Sequence, residues 1–316
     1  MATHTISPTN AFLMTFLITV WGSSFVVVKI ALAEGLTPIA IATFRLLTAS
    51  AFFLITLAAK KTLNRNYSLH IDNKDLPRLI LLALTGITFF FIAQVTGIAL
   101  ANASIAAILV CLLSPILITV LSTRILKENL KRKQFIGIGI AAAGTLTVIA
   151  GGTLTLQNNP TFLTGILVLL LTPILWSTYT ITGKTTMKKY NPFLITAYAN
   201  IIGGLCLIPF SLAENSLAKI TTMNLQTWAA ILFLAFTASL IGYFIWFHVA
   251  NQVKAAVLGS FMFAEPLITM LLATTLIGET ITPYTAAGGI LIFLGVYLVS
   301  KKQTKMNPHP TTLQFS

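Results

Sequence analysis

Runs of about 20 apolar residues recur from near the start of the chain to residue 300, and each can cross a hydrocarbon layer of about 30 Å. Ten spans are expected, near residues 11–32, 38–59, 77–98, 103–123, 134–151, 161–183, 192–212, 226–248, 255–276 and 283–300. Pro38, Pro77, Asn158-Asn159-Pro160, Asn191-Pro192, Asn224 and Pro283 punctuate the breaks. Only 9% of residues are charged, against roughly 25% in soluble domains, so a water-soluble core cannot hide these runs. The expected fold class is an all-α polytopic membrane protein.

A formal net charge of +13 would suggest a nucleic-acid partner in a soluble chain. Here the charges sit in short loops between apolar runs, with no basic stripe interleaved with aromatics, and no nucleic acid is expected. Cys111 and Cys206 both fall inside apolar runs and read as buried thiols, not as a disulfide framework. Ala31-Leu32-Ala33 imitates a signal-peptide cleavage site. Residues 1–10 carry no Lys or Arg, however, and Lys29 interrupts the run, so the first span is expected to stay.

The chain also repeats itself. Pro115 and Pro266, Glu128 and Glu279, Gly137 and Gly288, and Gly144 and Gly295 each lie 151 residues apart. Trp21 and Trp176, and Lys29 and Lys184, each lie 155 apart. Five spans per unit is an odd number, which reverses the second unit in the membrane. The expected organisation is two inverted five-helix repeats, residues 1–152 for helices 1–5 and 153–316 for helices 6–10 with a cytoplasmic tail. Inverted repeats let one packing scheme build an inward-facing and an outward-facing state. Of the 20 basic residues, 17 fall on one side, Lys29 and Lys219 on the other, and Arg45 inside a span. That bias places both termini in the cytoplasm.

Several stretches resemble the drug/metabolite transporter superfamily, specifically its ten-helix EamA-type transporters, over essentially residues 11–300. They are WGSSFVVVK in helix 1, ATFRLLTAS in helix 2, and ALANASIAAILVCLLSPILITVLSTRILKEN across helices 3–4. In the second half they are LWSTYTITGK, and GYFIWFHVANQVKAAVLGSFMFAEPLITMLLATTLIGE across helices 8–9. The resemblance implies a central cavity lined mainly by helices 1, 3, 4, 6, 8 and 9, with helices 5 and 10 peripheral. Family members export amino acids, nucleobases, other metabolites or drugs, so it implies no particular substrate.

Glu265 is the sharpest candidate site residue. It lies about ten residues into span 9, roughly 15 Å deep, where a carboxylate must be paired, hydrated or protonated. Pro266 removes a helical donor beside it. Against a substrate role, Ser114 holds the equivalent place in the first half, and a structural hydrogen-bonding role is the alternative. Arg45, the other deep charge, reads as a structural clamp near the outer surface, with a carboxylate on substrate or on Glu34 as its other reading.

Trp21, Ser24, Trp176, Tyr179, Tyr243 and Phe244 are candidate substrate contacts on helices 1, 6 and 8, because aromatic rings join large apolar area to a few donors. Trp246 belongs to the same aromatic set, and Gln94 in helix 3 adds a candidate polar contact. Lys29 and Lys184 read as packing residues at span ends, and Glu128 and Glu279 as ties to neighbouring basic or backbone groups.

No nucleophile elbow, HExxH, phosphate loop or paired CxxC occurs, and no cofactor, metal or enzymatic activity is expected. The reading is a secondary transporter, expected to export a small organic metabolite, an amino acid or related compound, from the cell by alternating access. Its partners are a small-molecule substrate and the bilayer of the plasma or inner membrane; homo-oligomerisation stays open, as do proton coupling through Glu265, facilitated diffusion and exchange. A multidrug or nucleotide-sugar-type exchanger, an importer and, from another class, a membrane-embedded enzyme are the alternatives. Two deep charges are too few for the last. Reporter fusions at the C-terminus and near Gln157 should report opposite sides of the membrane; the same side for both would overturn the ten-span reading.

Overall fold

The computed structural model describes residues 7–125, 132–155, 159–253, 258–259 and 261–300. Its elements are α1 (Pro8–Ala33), α2 (Pro38–Leu63), α3 (Asn73–Leu100), α4 (Ala103–Ile125) and α5 (Arg132–Thr155). They continue as α6 (Pro160–Thr186), α7 (Pro192–Ala213), α8 (Leu225–Ala250), α9 (Phe261–Ile277) and α10 (Pro283–Ser300). Among the described residues there is no strand element, and seven helices, α1–α4 and α6–α8, are long and apolar enough to cross a membrane. The apolar stretches of α5, α9 and α10 are shorter: Gly139–Val148, Phe261–Ile277 and Pro283–Gly295.

Local chemistry sets the helix starts. Ser7, Thr37, Asn159, Asn191 and Thr282 each stand directly before a proline that opens a helix. Each side-chain oxygen accepts a backbone N–H from the first turn, and proline's missing N–H costs nothing there. At the other end of α9, Gly278 takes a left-handed conformation (φ 66°) that lets the Glu279 N–H close back on the Ala273 carbonyl.

Leu54, Ile55, Leu146, Leu167, Leu267, Leu271 and Ile290 point outward and are exposed, whereas Thr43, Arg45, Ser114, Thr172, Ser177, Asn200 and Glu265 are buried. An apolar outside around a partly polar inside is the arrangement that hydrocarbon requires.

The helices pack in a pattern that exchanges partners between the halves. α1 lies against α8 and α9, as α6 lies against α3 and α4; α2 packs on α7, α4 on α9, and α5 on α10. The α5–α10 contact brings two backbones close together. A Cβ on Gly295 would sit 2.4 Å from the Gly137 carbonyl oxygen, and one on Gly144 would sit 2.7 Å from that of Gly288. Small residues let the two backbones touch, which is how apolar helices gain contact when lipid removes the hydrophobic drive.

Two departures from regular α-helix follow from the sequence. α3 and α8 both contain π-helical turns, at Leu84–Thr88 and Phe233–Ile241. Such turns displace carbonyls from the ladder, and each receives an outside donor: Tyr243 donates its hydroxyl to Gly86 (3.1 Å), and Trp21 its indole N–H to Ala238 (2.9 Å). The repeated prolines also behave differently. Pro115 lies inside the continuous helix α4, whereas at Pro266 the 3₁₀ turn Phe261–Ala264 ends and α-helix begins at Glu265. Glu265 therefore sits at the start of an α-helical segment, and not in mid-helix as the apolar run implied.

Gly295→Ala should lower the melting temperature of the purified protein, because the new methyl meets immovable backbone and overpacking costs about 1–3 kcal/mol. Gly139→Ala, whose Cβ meets nothing within 4 Å, should leave it unchanged or raise it slightly. Equal behaviour of the two variants would contradict the close α5–α10 packing.

Candidate functional site

Both halves contribute to one cavity of about 30 Å³. Its lining comprises Trp21, Ser24 and Phe25 from α1, Arg45 from α2, Phe90, Phe91 and Gln94 from α3, and Val110 and Cys111 from α4. Trp176 from α6, Tyr243 from α8, and Met262 and Glu265 from α9 complete it.

Aromatic rings make one wall. Trp21 and Trp176 meet edge to face at 5.4 Å, and Tyr243 lies 6.0 Å from the first and 5.7 Å from the second. Trp246 backs this cluster at 5.4 Å from both indoles, and Phe90 extends it at 5.2 Å from Trp176. Such offset and edge contacts add about 0.5–1.5 kcal/mol per pair beyond area burial, so these rings are held rigidly.

Two ionisable side chains also line the cavity. Arg45 is 2% exposed, its Nε donates to Ser239 Oγ at 2.9 Å, and its guanidinium lies 4.3 Å over the Phe91 ring. Glu265, also 2% exposed, accepts the Cys111 thiol on Oε2 at 3.0 Å. Arg45 Nη1 and Glu265 Oε1 have no hydrogen-bond partner among the described residues, and the two groups form no ion pair there. Arg45 thus ties α2 to α8 and α3, as a clamp would, and also lines the same cavity as Glu265, so α2 joins the lining helices through it.

Of the residues expected from sequence, Trp21, Ser24, Gln94, Trp176, Tyr243 and Glu265 come together here. Ser114 and Tyr179 lie behind the lining: Ser114 donates to Val110, and Tyr179 packs between Trp176 and Phe247. Phe244 is turned away, 38% exposed and stacked against Phe193 and His248, because neighbouring helical residues point about 100° apart and Tyr243 takes the inward direction. Sequence reasoning missed Phe25, Phe90, Phe91, Val110, Cys111 and Met262. The duplication carried a signal for two of them, since Cys111 and Met262 stand 151 residues apart, as Pro115 and Pro266 do.

Away from the cavity lining, polar ties join first-half to second-half residues in two regions. At the lysine-rich end, Lys189 spans Asp72 and Asp75 (2.6 Å to the latter), and Tyr190 donates its hydroxyl to Asp75 at 2.7 Å. The hydrogen bond from Lys189 holds the Asp72 carboxyl below its usual value, and the two aspartates raise the Lys189 ammonium. At the opposite end, Glu279 accepts the Ala103 and Ser104 N–H groups and the Ser104 hydroxyl, capping α4, while Asn224 donates to Glu34 at 2.6 Å. Glu279 is thereby a tie to backbone; its counterpart Glu128 lies outside the described residues. Lys29 and Lys184 cap helix ends, donating to the carbonyls of Ile98 and of Ala250 and Val253.

The profile of the EamA-like transporter family matches residues 9–150 and again 163–301. The chain belongs to the EamA-like transporter family. An uncharacterized transporter of Archaeoglobus fulgidus is 28% identical over 284 residues, covering 90% of this chain and 94% of its own. The uncharacterized transporter YyaM of Bacillus subtilis is 27% identical, covering 84% and 85%. A Salmonella typhimurium protein named a probable amino-acid metabolite efflux pump is 25% identical, covering 93% and 95%. A solved crystal structure matches with a TM-score of 0.63 at 17% identity, covering 92% of this chain and 96% of the other, and shares the fold. This EamA-like chain is an integral membrane transporter in class.

Proposed function

We propose that the chain exports a small organic metabolite, an amino acid or related compound, by alternating access. In this reading ten spans form two inverted repeats, residues 1–152 and 153–316, in the plasma or inner membrane with both termini in the cytoplasm. The observation that carries it is a small cavity that both halves wall with aromatic rings, Arg45 and Glu265. Small-ligand pockets run to roughly 300 Å³ or more, so about 30 Å³ cannot take a metabolite until the helices part.

The ties at the two ends support the same reading. The Lys189 clasp and the Asn10–Gln252 hydrogen bond join first-half to second-half residues at the lysine-rich end. The Glu279 cap and the Asn224–Glu34 bond do so at the other. Breaking one set while keeping the other would open the cavity to one side at a time. The exchange of packing partners between halves supports the inverted repeat, since each state can then be the mirror of the other. The name of the Salmonella relative supports an amino-acid-type substrate.

The test is efflux from proteoliposomes loaded with a radiolabelled amino-acid mixture. Protein-dependent efflux of one or more components is expected, and Trp21→Ala should reduce it at least about tenfold while Phe244→Ala leaves it within about twofold. No flux beyond protein-free liposomes, in either direction, would overturn the transport reading for this substrate class.

A further inference from the structure

Resting on that reading, we infer that the cavity recognises a zwitterion, with Arg45 taking the substrate's carboxylate, Glu265 its ammonium, and both charges required. The inference comes from what each group leaves unused. Ser239 and the Phe91 ring fix the plane of the Arg45 guanidinium from one side, and Nη1 remains. The Cys111 thiol occupies Glu265 Oε2, and Oε1 remains. A fork of two N–H groups matches a carboxylate, and a carboxylate oxygen matches an ammonium.

These two groups line one cavity yet form no direct ion pair among the described residues. Two separated charges in a medium poor in water are each costly, and a ligand dipole laid between them relieves both. A simple anion would satisfy Arg45 and leave Glu265 exposed to the cost, and a simple amine would do the reverse. A neutral apolar compound would satisfy neither. Because the two groups line one cavity, they suit a ligand that carries both its charges close together, as in an α-amino acid. Trp21 and Trp176 offer ring faces beside the ammonium, and Phe90, Val110 and Met262 offer apolar contact for the remainder.

A purely structural pairing of the two charges is the competing explanation, and ligand selectivity separates them. Binding of the 20 common L-amino acids to purified protein identifies the tightest, which is then compared with its amide and with its deaminated acid. Wild type should prefer the amino acid over each analogue by at least about tenfold, the scale of a charge-assisted hydrogen bond. Arg45→Gln should erase the preference over the amide and keep that over the deaminated acid; Glu265→Gln should do the opposite. If Arg45→Gln does not fold, Arg45→Lys, which keeps the charge and loses the fork, should weaken the same preference. Either analogue binding as well as the amino acid, or both preferences surviving both substitutions, would overturn the inference. Flux of an uncharged or singly charged metabolite without amino-acid binding would overturn it too, leaving transport intact. Selective binding as described with no flux would sink the transport reading instead.

Discussion

Charge and unpaired backbone are expensive wherever water is excluded, and the architecture follows from how each such group is satisfied. Lys29 and Lys184 end their helices by feeding ammonium protons to the open carbonyls of α3 and α8. Glu279 closes the open N–H groups of α4. The π turns of α3 and α8 leave carbonyls that Tyr243 and Trp21 complete. These bonds tie helix to helix across the bundle, so satisfying the backbone and fixing the packing are one event. Arg45 and Glu265, which line one cavity, are among the buried side chains that keep an unsatisfied atom.

The parts legible in the sequence were those that period and repetition encode. Apolar runs bounded by Ser-Pro, Thr-Pro and Asn-Pro gave helices within a few residues of their observed ends, since cap and proline act locally. The 155-residue spacing of Trp21 and Trp176 pointed to two residues that meet at 5.4 Å. Arg45's place in the cavity lining was not legible, because depth along a span does not reveal which neighbours surround it; Ser239 and Phe91, on two other helices, hold it there. Phe244 was chosen as an aromatic of helix 8, but it sits about 100° around that helix from Tyr243 and faces outward. Pro115 and Pro266 looked equivalent, yet only the second breaks its helix, an asymmetry that no repeat could announce.

That asymmetry bears on how the two halves divide their work. On α4 the repeated position is Ser114, whose hydroxyl returns to its own helix at Val110. On α9 it is Glu265, standing at the start of a helical segment with a free oxygen at the cavity. Arg45 likewise has Asn200 as its counterpart, which donates to Thr196 within α7. In these two pairs one member bonds within its own helix and the other lines the cavity. A duplicated scaffold has thus kept symmetric packing and acquired an asymmetric centre.

Accessibility of the centre from each face tests alternating access most directly. Ser24 lines the cavity, and Ser24→Cys in a Cys111→Ser, Cys206→Ser background places one thiol there. Oriented membrane vesicles of both polarities can then be treated with a membrane-impermeant maleimide. Alternating access predicts reaction from either face, with both rates slowed when a substrate fills the cavity. Reaction from one face only, or from neither, would contradict it.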